Sequence, residues 1–388
     1  MTAVSVAVAA CSTDSASESS TVKMMVIGDF TAPGFSFPQI VDGAQAAVNE
    51  TNLSGGINGD SIELLSCDAQ NDPNAAAACA RKAVQENVSA VVGLHSLQNN
   101  SVVRALEGAG IPSVGSNDLG ALDRTSPVSF PMLSTPVHLF SVVVGMPHYD
   151  KCAKPGVLHT DVPAGVEAAR IMKKFYAENV PIAAPARLVP LQVDATDVTA
   201  RVATVLEGGT DCVFLALPPT LNTAVIKAID NVGANVEVSG ATPALPESAM
   251  RDLGEPAVGV YSTTTFKLPG VDPAADTFSR QMAEVNPDAV QDVAAESAYS
   301  GVKIVAQAME GLTDYSGKSV LAALNEMTNI DVGLAPVIPS FADSSLPGLP
   351  RTFNTSAYSY QWTGDHYELL KPEPTDVSAL LGKTLASQ

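Results

Sequence analysis

From residue 22 onward, short apolar segments alternate with helix-length segments, and this alternation constrains the fold more than any other feature of the chain. Strands are predicted over 23–27, 61–66, 90–93 and 111–115, each bounded by Gly, Asp or Ser. Between them lie helices predicted over 38–52, 73–87 and 101–110, two of them with Pro at or near the start. A βαβαβα rhythm packs as a parallel sheet covered by helices on both faces. After Ser134-Thr135-Pro136 the rhythm restarts, with strands over 155–160, 186–192, 212–218 and 236–241 and helices over 163–179, 197–208 and 221–232. Two such runs imply an α/β protein of two doubly wound lobes. Helices over 273–286, 289–311 and 318–327 follow, and then a Pro-rich tail from Gly333 that reads as hairpin strands and loop. In that tail Tyr358, Tyr360 and Trp362 alternate as in a half-buried strand.

Charge and motif content exclude several function classes. Asp plus Glu number 41 against 21 Lys plus Arg, a net charge of −20 that repels phosphate backbones, so nucleic acid is not an expected partner. No run approaches the roughly 20 apolar residues of a membrane-crossing helix. The motifs G-x-S-x-G, H-E-x-x-H and G-x-G-x-x-G are missing, the five His are dispersed, and no cofactor is expected. The run GLTDYSGKS at 311–319 has five residues between glycines where a phosphate-binding loop has four, and it follows a helix rather than a strand. Adjacent His95 and Ser96 keep a secreted hydrolase open as a rival class, which would need a closed nucleophile, base and oxyanion set.

Residues 3–10 (AVSVAVAA) form an apolar run ending directly before Cys11 and the polar CSTDSASESS, which reads as the tail of a secretory signal at its cleavage site. No Lys or Arg precedes Cys11, so the charged start of such a signal is missing. The run Val8-Ala9-Ala10-Cys11 resembles a bacterial lipobox, in which the cysteine is diacylated. Residues 1–21 are therefore expected to be signal remnant, lipobox and linker, anchoring the protein outside the bacterial cytoplasmic membrane or leaving it periplasmic. Four cysteines remain, and an even number in an exported chain suggests two disulfides. Of three pairings, Cys67 with Cys79 is favoured, because Cys67 ends a strand and Cys79 sits one turn into the next helix. Cys152 and Cys212 each stand just before a strand, and adjacent parallel strands would bring them together. A zinc site is not favoured, since no C-x2-C or His cluster is present.

In doubly wound sheets ligands bind outside the carboxyl ends of the strands, which singles out loops 29–37, 94–98, 116–119, 161–164, 218–220 and 241–244. The segments VIGDFTAPG, DGAQAAVNETN, LSGGINGDSIELLSCDAQNDP and VSAVVGLHS with GIPSV occur in that order over the first part of the chain. Together they resemble the type I periplasmic solute-binding proteins of the branched-chain amino acid (Leu/Ile/Val) ABC transporter family. The most specific match is Asn52 to Asp60 followed by Ile62, similar to the family's N-x-x-G-G-I-x-G turn before its second strand, with Asp68 and Pro73 then in a D-x4-P step. Gly55, Gly56 and Gly59 supply the positive φ such a turn needs. More weakly, 155–261 and 296–311 resemble the family too.

The resemblance implies a clamp of two lobes joined by a three-strand hinge, one lobe over 22–134 plus 266–331 and the other over 135–265 plus 332–388. Hinge crossovers are expected near 133–136, 264–268 and 330–334. It implies a monomer that captures a small polar metabolite (an amino acid, small carboxylate or amide) by lobe closure, hands it to an ABC permease and catalyses nothing; a ligand sensor for a signalling partner is the alternative. Family members hold a ligand carboxylate with first-lobe hydroxyls and amides, the places taken here by Ser96 with the loop 116–119, from which Asn117 and Asp118 join Leu97 in the expected ligand-binding set; Ser96 as a helix cap and Asp118 as a loop cap are the structural alternatives. The family's D-x-x-Y-G aromatic is absent from Asp161-Val162-Pro163-Ala164-Gly165, and Thr242 stands where several members carry an acid for an α-ammonium. Asp118 is the candidate replacement from the opposite lobe. Phe30, Phe35, Phe37 and His95 are a candidate aromatic wall, with Thr31, Pro218 and Phe266 completing the expected ligand-binding set.

Overall fold

Packing in the first unit is decided by side chains that alternate along its central strand. The computed structural model describes residues 21–32, 36–180, 182–342, 344 and 346–386; Cys11 and Phe35 lie outside them. β1 (Thr21–Gly28), α1 (Gln39–Leu53), β2 (Ser61–Asp68), α2 (Pro73–Gln85), β3 (Ala90–Val92), α3 (Asn99–Ala109), β4 (Ser113–Asn117) and β5 (Ser129–Leu133) form a parallel sheet of order β2-β1-β3-β4-β5. Met24 and Val26 enter one core and Met25 and Ile27 the other, the period of two that lets one strand serve both faces. Asp72 caps α2 by accepting from the Asn74 and Ala75 amides, with Pro73 in the first turn where its missing N–H costs nothing. The turn glycines Gly55, Gly56 and Gly59 have φ of 106°, 72° and 95°, as the sequence requires.

The second unit opens with a helix that the sequence reading left unassigned, α4 (Thr135–Val144). It continues through β6 (Pro155–Thr160), α5 (Pro163–Asn179), β7 (Arg187–Leu191), α6 (Thr199–Leu206), β8 (Cys212–Ala216), α7 (Pro219–Asn231), β9 (Glu237–Ala241), α8 (Glu247–Leu253) and β10 (Tyr261–Thr264). α9 (Pro273–Val285), α10 (Val293–Met309), α11 (Gly317–Glu326) and the antiparallel pair β11 (Thr328–Ile330) and β12 (Ile338–Ser340) come next. β13 (Ser356–Trp362), β14 (Tyr367–Leu369), β15 (Thr375–Asp376) and α12 (Ser378–Ala386) close the chain. The second sheet has the order β14-β13-β10-β9-β8-β6-β7, with β15 on β13. Its β6–β10 core is parallel, while β13 pairs antiparallel with β10 and β14, the hairpin expected of the tail.

The cores show where the chain passes from one sheet to the other. Phe266, just after β10, is fully buried among first-sheet residues, and so are Leu334, Ile338 and Phe341. Phe353 joins the same core, well beyond the boundary at 331 read from the sequence. Arg351 explains the hold: its guanidinium lies 4.4 Å from the Phe130 ring and 4.6 Å from that of Phe353, and its Nε donates to the Ser129 carbonyl at 2.9 Å. Both expected disulfides are present, with Cα separations of 5.5 Å for Cys67–Cys79 and 5.8 Å for Cys152–Cys212.

Candidate functional site

At the carboxyl ends of the first sheet, the strand-end loops are closed on themselves by buried acids. Asp29 is fully buried and its carboxylate accepts from Ser96 Oγ at 2.9 Å, from the Leu97 amide at 3.1 Å and from the Asn71 amide at 2.6 Å. Ser96 Oγ also accepts from the Gln98 amide at 3.0 Å, so this hydroxyl is a loop clasp with no exposed surface. Its partners are Asp29 and Gln98, not the His95 ring, and the adjacent pair therefore forms no nucleophile and base. The His95 ring stacks on Phe37 at 4.3 Å, and burial pushes its pKa down to about 4, holding it neutral. The Phe30 amide and the exposed Thr31 hydroxyl both donate to Asp68, at 2.9 and 2.6 Å.

Asp118 is a cap for the crossover. Its Oδ1 accepts from the Thr135 amide at 2.7 Å, tying the end of β4 to the start of α4, and Arg124 stands 3.8 Å from Oδ2. Burial lifts its pKa to about 6 against those two stabilising partners. Neighbouring Asp123 is pushed to about 7 by burial, although Asn99 and the Gly120 amide donate to it at 3.0 and 2.8 Å. Asn117 is engaged through its carbonyl, which accepts from Asn99 Nδ2 at 3.0 Å. Leu97 is half exposed.

On the second unit, Asp161 is exposed, Pro163 opens α5, and Pro218 precedes α7. Thr242 is half-buried, with its hydroxyl 2.9 Å from Ser262 Oγ and 3.0 Å from the Thr263 carbonyl. Phe266 belongs to the first core and not to a ligand wall, a correction with a simple cause: the chain is turning inward as it leaves β10.

Thr242 leads to a hollow that the two units share. A cavity of about 580 Å³ is lined from the second unit by Thr242, Pro246, Glu247 and Tyr367, and from the α9–α10 side by Val290, Asp292 and Glu296, with Thr264 and Leu268 on the crossover between. α10 reaches this position because Gly115 (φ 74°) lets its strand press against the Ser297 carbonyl and Gly301, where any Cβ would collide. Ser297 Oγ donates to the Gly115 carbonyl at 3.0 Å and fixes the register. Asp292 caps α10 by accepting from the Ala294 and Ala295 amides, and its other oxygen accepts from Gln39 at 2.8 Å. Glu296, one turn on, is 4% exposed, and burial raises its pKa well above the usual carboxylate range, with Asp292 adding to the rise. Asp292 and Glu296 were missed from the sequence because they sit on a helix start and not at a strand end. The only signal was an isolated acid in the small-residue run AAESAYSG.

Two parallel-centred α/β units, three passages between them and a shared cavity are the architecture of a type I periplasmic binding protein. The family model described as periplasmic binding protein matches residues 21–364, and the chain belongs to that family. No curated protein matches at the level of sequence. Among solved structures, the chain is similar to a putative branched-chain amino acid ABC transporter from Rhodospirillum rubrum (17% identity, 90% of this chain and 100% of that one, TM-score 0.74). It is also similar to the branched-chain amino acid transporter substrate binding protein LivJ from Streptococcus pneumoniae in complex with isoleucine (19%, 91% and 100%, TM-score 0.70). A third is a solute binding protein of an ABC transporter from R. palustris in complex with 4-hydroxybenzoate (19%, 95% and 100%, TM-score 0.70).

Proposed function

We propose that this chain captures a small polar molecule between its two units and presents it to an ABC permease, outside the cytoplasm and without chemical turnover. The observation that carries this reading is the 580 Å³ cavity lined from both units and from the crossover, a volume within the roughly 300–1,000 Å³ of small-molecule sites. A ligand contacting both walls favours the closed arrangement over the open one by its extra contacts, which is how a two-unit clamp reports occupancy. In this reading the lobes are 22–134 with 266–353, and 135–265 with 356–386, so the third hinge strand lies just after Phe353. Cys11 is the lipid attachment point, and the protein acts as a monomer. Bound isoleucine and 4-hydroxybenzoate in the similar structures support a range of small ligands and leave the class of this one to the cavity's own chemistry.

A thermal-shift screen of the protein against amino acids, amines, aromatic acids, short-chain acids and amides tests the capture, because binding to the native state alone raises the midpoint. The expected result is a hit that also lowers the radius of gyration in small-angle scattering. A hit with no compaction would overturn the clamp.

A further inference from the structure

We infer that Glu296 is the receptor for a protonated amine on the captured molecule, so that the ligand class is cationic or zwitterionic. This rests on the capture reading above. Glu296 lines the shared cavity at 4% exposure, and among the described residues no hydrogen bond reaches its carboxyl group. Such a buried acid is expensive unless something satisfies it, and an empty cavity beside it is the space for that partner. Three other polar groups on the lining are already engaged. Tyr367 donates to the Leu245 carbonyl at 2.7 Å, Thr242 is held by Ser262 and Thr263, and Asp292 caps α10 and holds Gln39.

The sign of the site follows from its lining. Glu247, Asp292 and Glu296 are acids, and among the described residues that line the cavity there is no Lys, Arg or His. Arg251 is 3.3 Å from Glu247, and Lys267, beside Leu268, is spent on Asp272 at 2.9 Å. Asp292 from its own helix pushes the Glu296 pKa up and Glu296 in turn raises Tyr360 on β13, while Glu247 from α8 and Tyr367 from β14 line the same cavity. A lone carboxylate ligand would therefore find no cation on the lining to meet it. An ammonium would instead expel the Glu296 proton, form a charge-assisted hydrogen bond and relieve the acid cluster. Thr242 of the second unit lines the cavity opposite, so a ligand held by Glu296 touches both units.

Calorimetry on the full chain decides it, using matched amine, carboxylate and amide probes on 3-methylbutyl, hexyl and benzyl scaffolds, with leucine as the zwitterion. Amine-bearing probes are expected to bind and the carboxylates not. Titrations in two buffers of different protonation enthalpy should show protons released as amine binds, since burial and Asp292 hold the Glu296 carboxyl above the usual carboxylate range. Glu296→Gln should lower amine affinity about tenfold or more, abolish the proton release and leave the unliganded melting midpoint in place. Carboxylate probes that bind equally to both proteins would overturn the role of Glu296 while leaving capture intact. If amines bind the unmodified protein with no proton released and with the same affinity in the variant, the assignment also fails. Silence across every probe overturns the capture reading and this inference together.

Discussion

The strand-end loops of the two sheets are built from opposite materials. First-sheet loops are knotted by buried acids: Asp29 holds Ser96, Leu97 and Asn71, Asp118 holds Thr135, and Asp123 holds Asn99 and Gly120. Second-sheet loops are set by prolines at helix starts, Pro163, Pro219 and Pro246 among them, and their acid, Asp161, is exposed. The difference teaches that a polar residue at a strand end is not free to meet a ligand merely by being there. On the first face those residues are consumed in closing their own loops. Pre-set proline backbones need no such clasp.

The covalent staples differ between the units as well, and give the largest expected effect. Cys67–Cys79 spans 12 residues and Cys152–Cys212 spans 60. In the chain-entropy account the shorter link stabilises by about 3 kcal/mol and the longer by about 4 kcal/mol. Replacing each pair by Ala and measuring urea unfolding should therefore rank the second unit's link as the costlier loss. The reverse order would show that native contacts near Cys67, and not loop length, set its contribution.

Much of this architecture was legible because it is local. Helix starts at Pro73, Pro163 and Pro273, the glycine turn at 55–59 and the Cys67–Cys79 pairing follow from spacing and cap chemistry over a short stretch of chain, and Cys152–Cys212 from the place of both cysteines just before strands. What failed was decided at a distance. The third passage between the units was set at 330–334 from the sequence, whereas Phe341 and Phe353 are held in the first core by Arg351 and Phe130, more than 200 residues earlier in the chain. Helix α4 was passed over because its run TPVHLFSVVV is apolar nearly all round, with no polar face to give a helical period. Ser96 was singled out as a ligand contact or a helix cap, yet its partner Asp29 is 67 residues away, and only the fold shows that its hydroxyl points inward to that acid.

The acid-knotted face should also make stability depend on pH in a way the second face does not. Asp123 titrates near 7 in the folded protein against an ordinary 3.8, so between those values the native state binds more protons than the unfolded chain. Stability from this group is therefore full at low pH and is lost as pH rises toward 7, by an amount on the order of 2 to 4 kcal/mol. Buried His95, with its pKa near 4, works in the opposite direction below its ordinary 6.5 and would blur the wild-type curve. The difference between Asp123→Asn and wild type isolates the carboxyl, since Asn retains the oxygen that accepts from Asn99 and Gly120. Urea unfolding at pH 5 and pH 8 (values chosen to bracket roughly that window) should show the variant gaining relative stability at the higher pH. An unchanged difference would mean Asp123 is already ionised in the folded state.

Ser96→Ala makes the smallest of these changes and bears most directly on the comparison. The substitution removes the donor to Asp29 Oδ1 and the acceptor for the Gln98 amide, while Asp29 keeps Asn71 and Leu97. Losing one charge-assisted bond and leaving one amide without its partner should cost about 1 to 2 kcal/mol of stability. Ligand affinity should hardly move, because the hydroxyl is spent inside the loop and presents no surface to the cavity. The opposite pattern, affinity lost with the melting midpoint kept, would mean that the loop opens on ligand entry and releases Ser96 from Asp29. The first face would then be a latent binding surface rather than a closed wall, and Glu296 would share recognition with it.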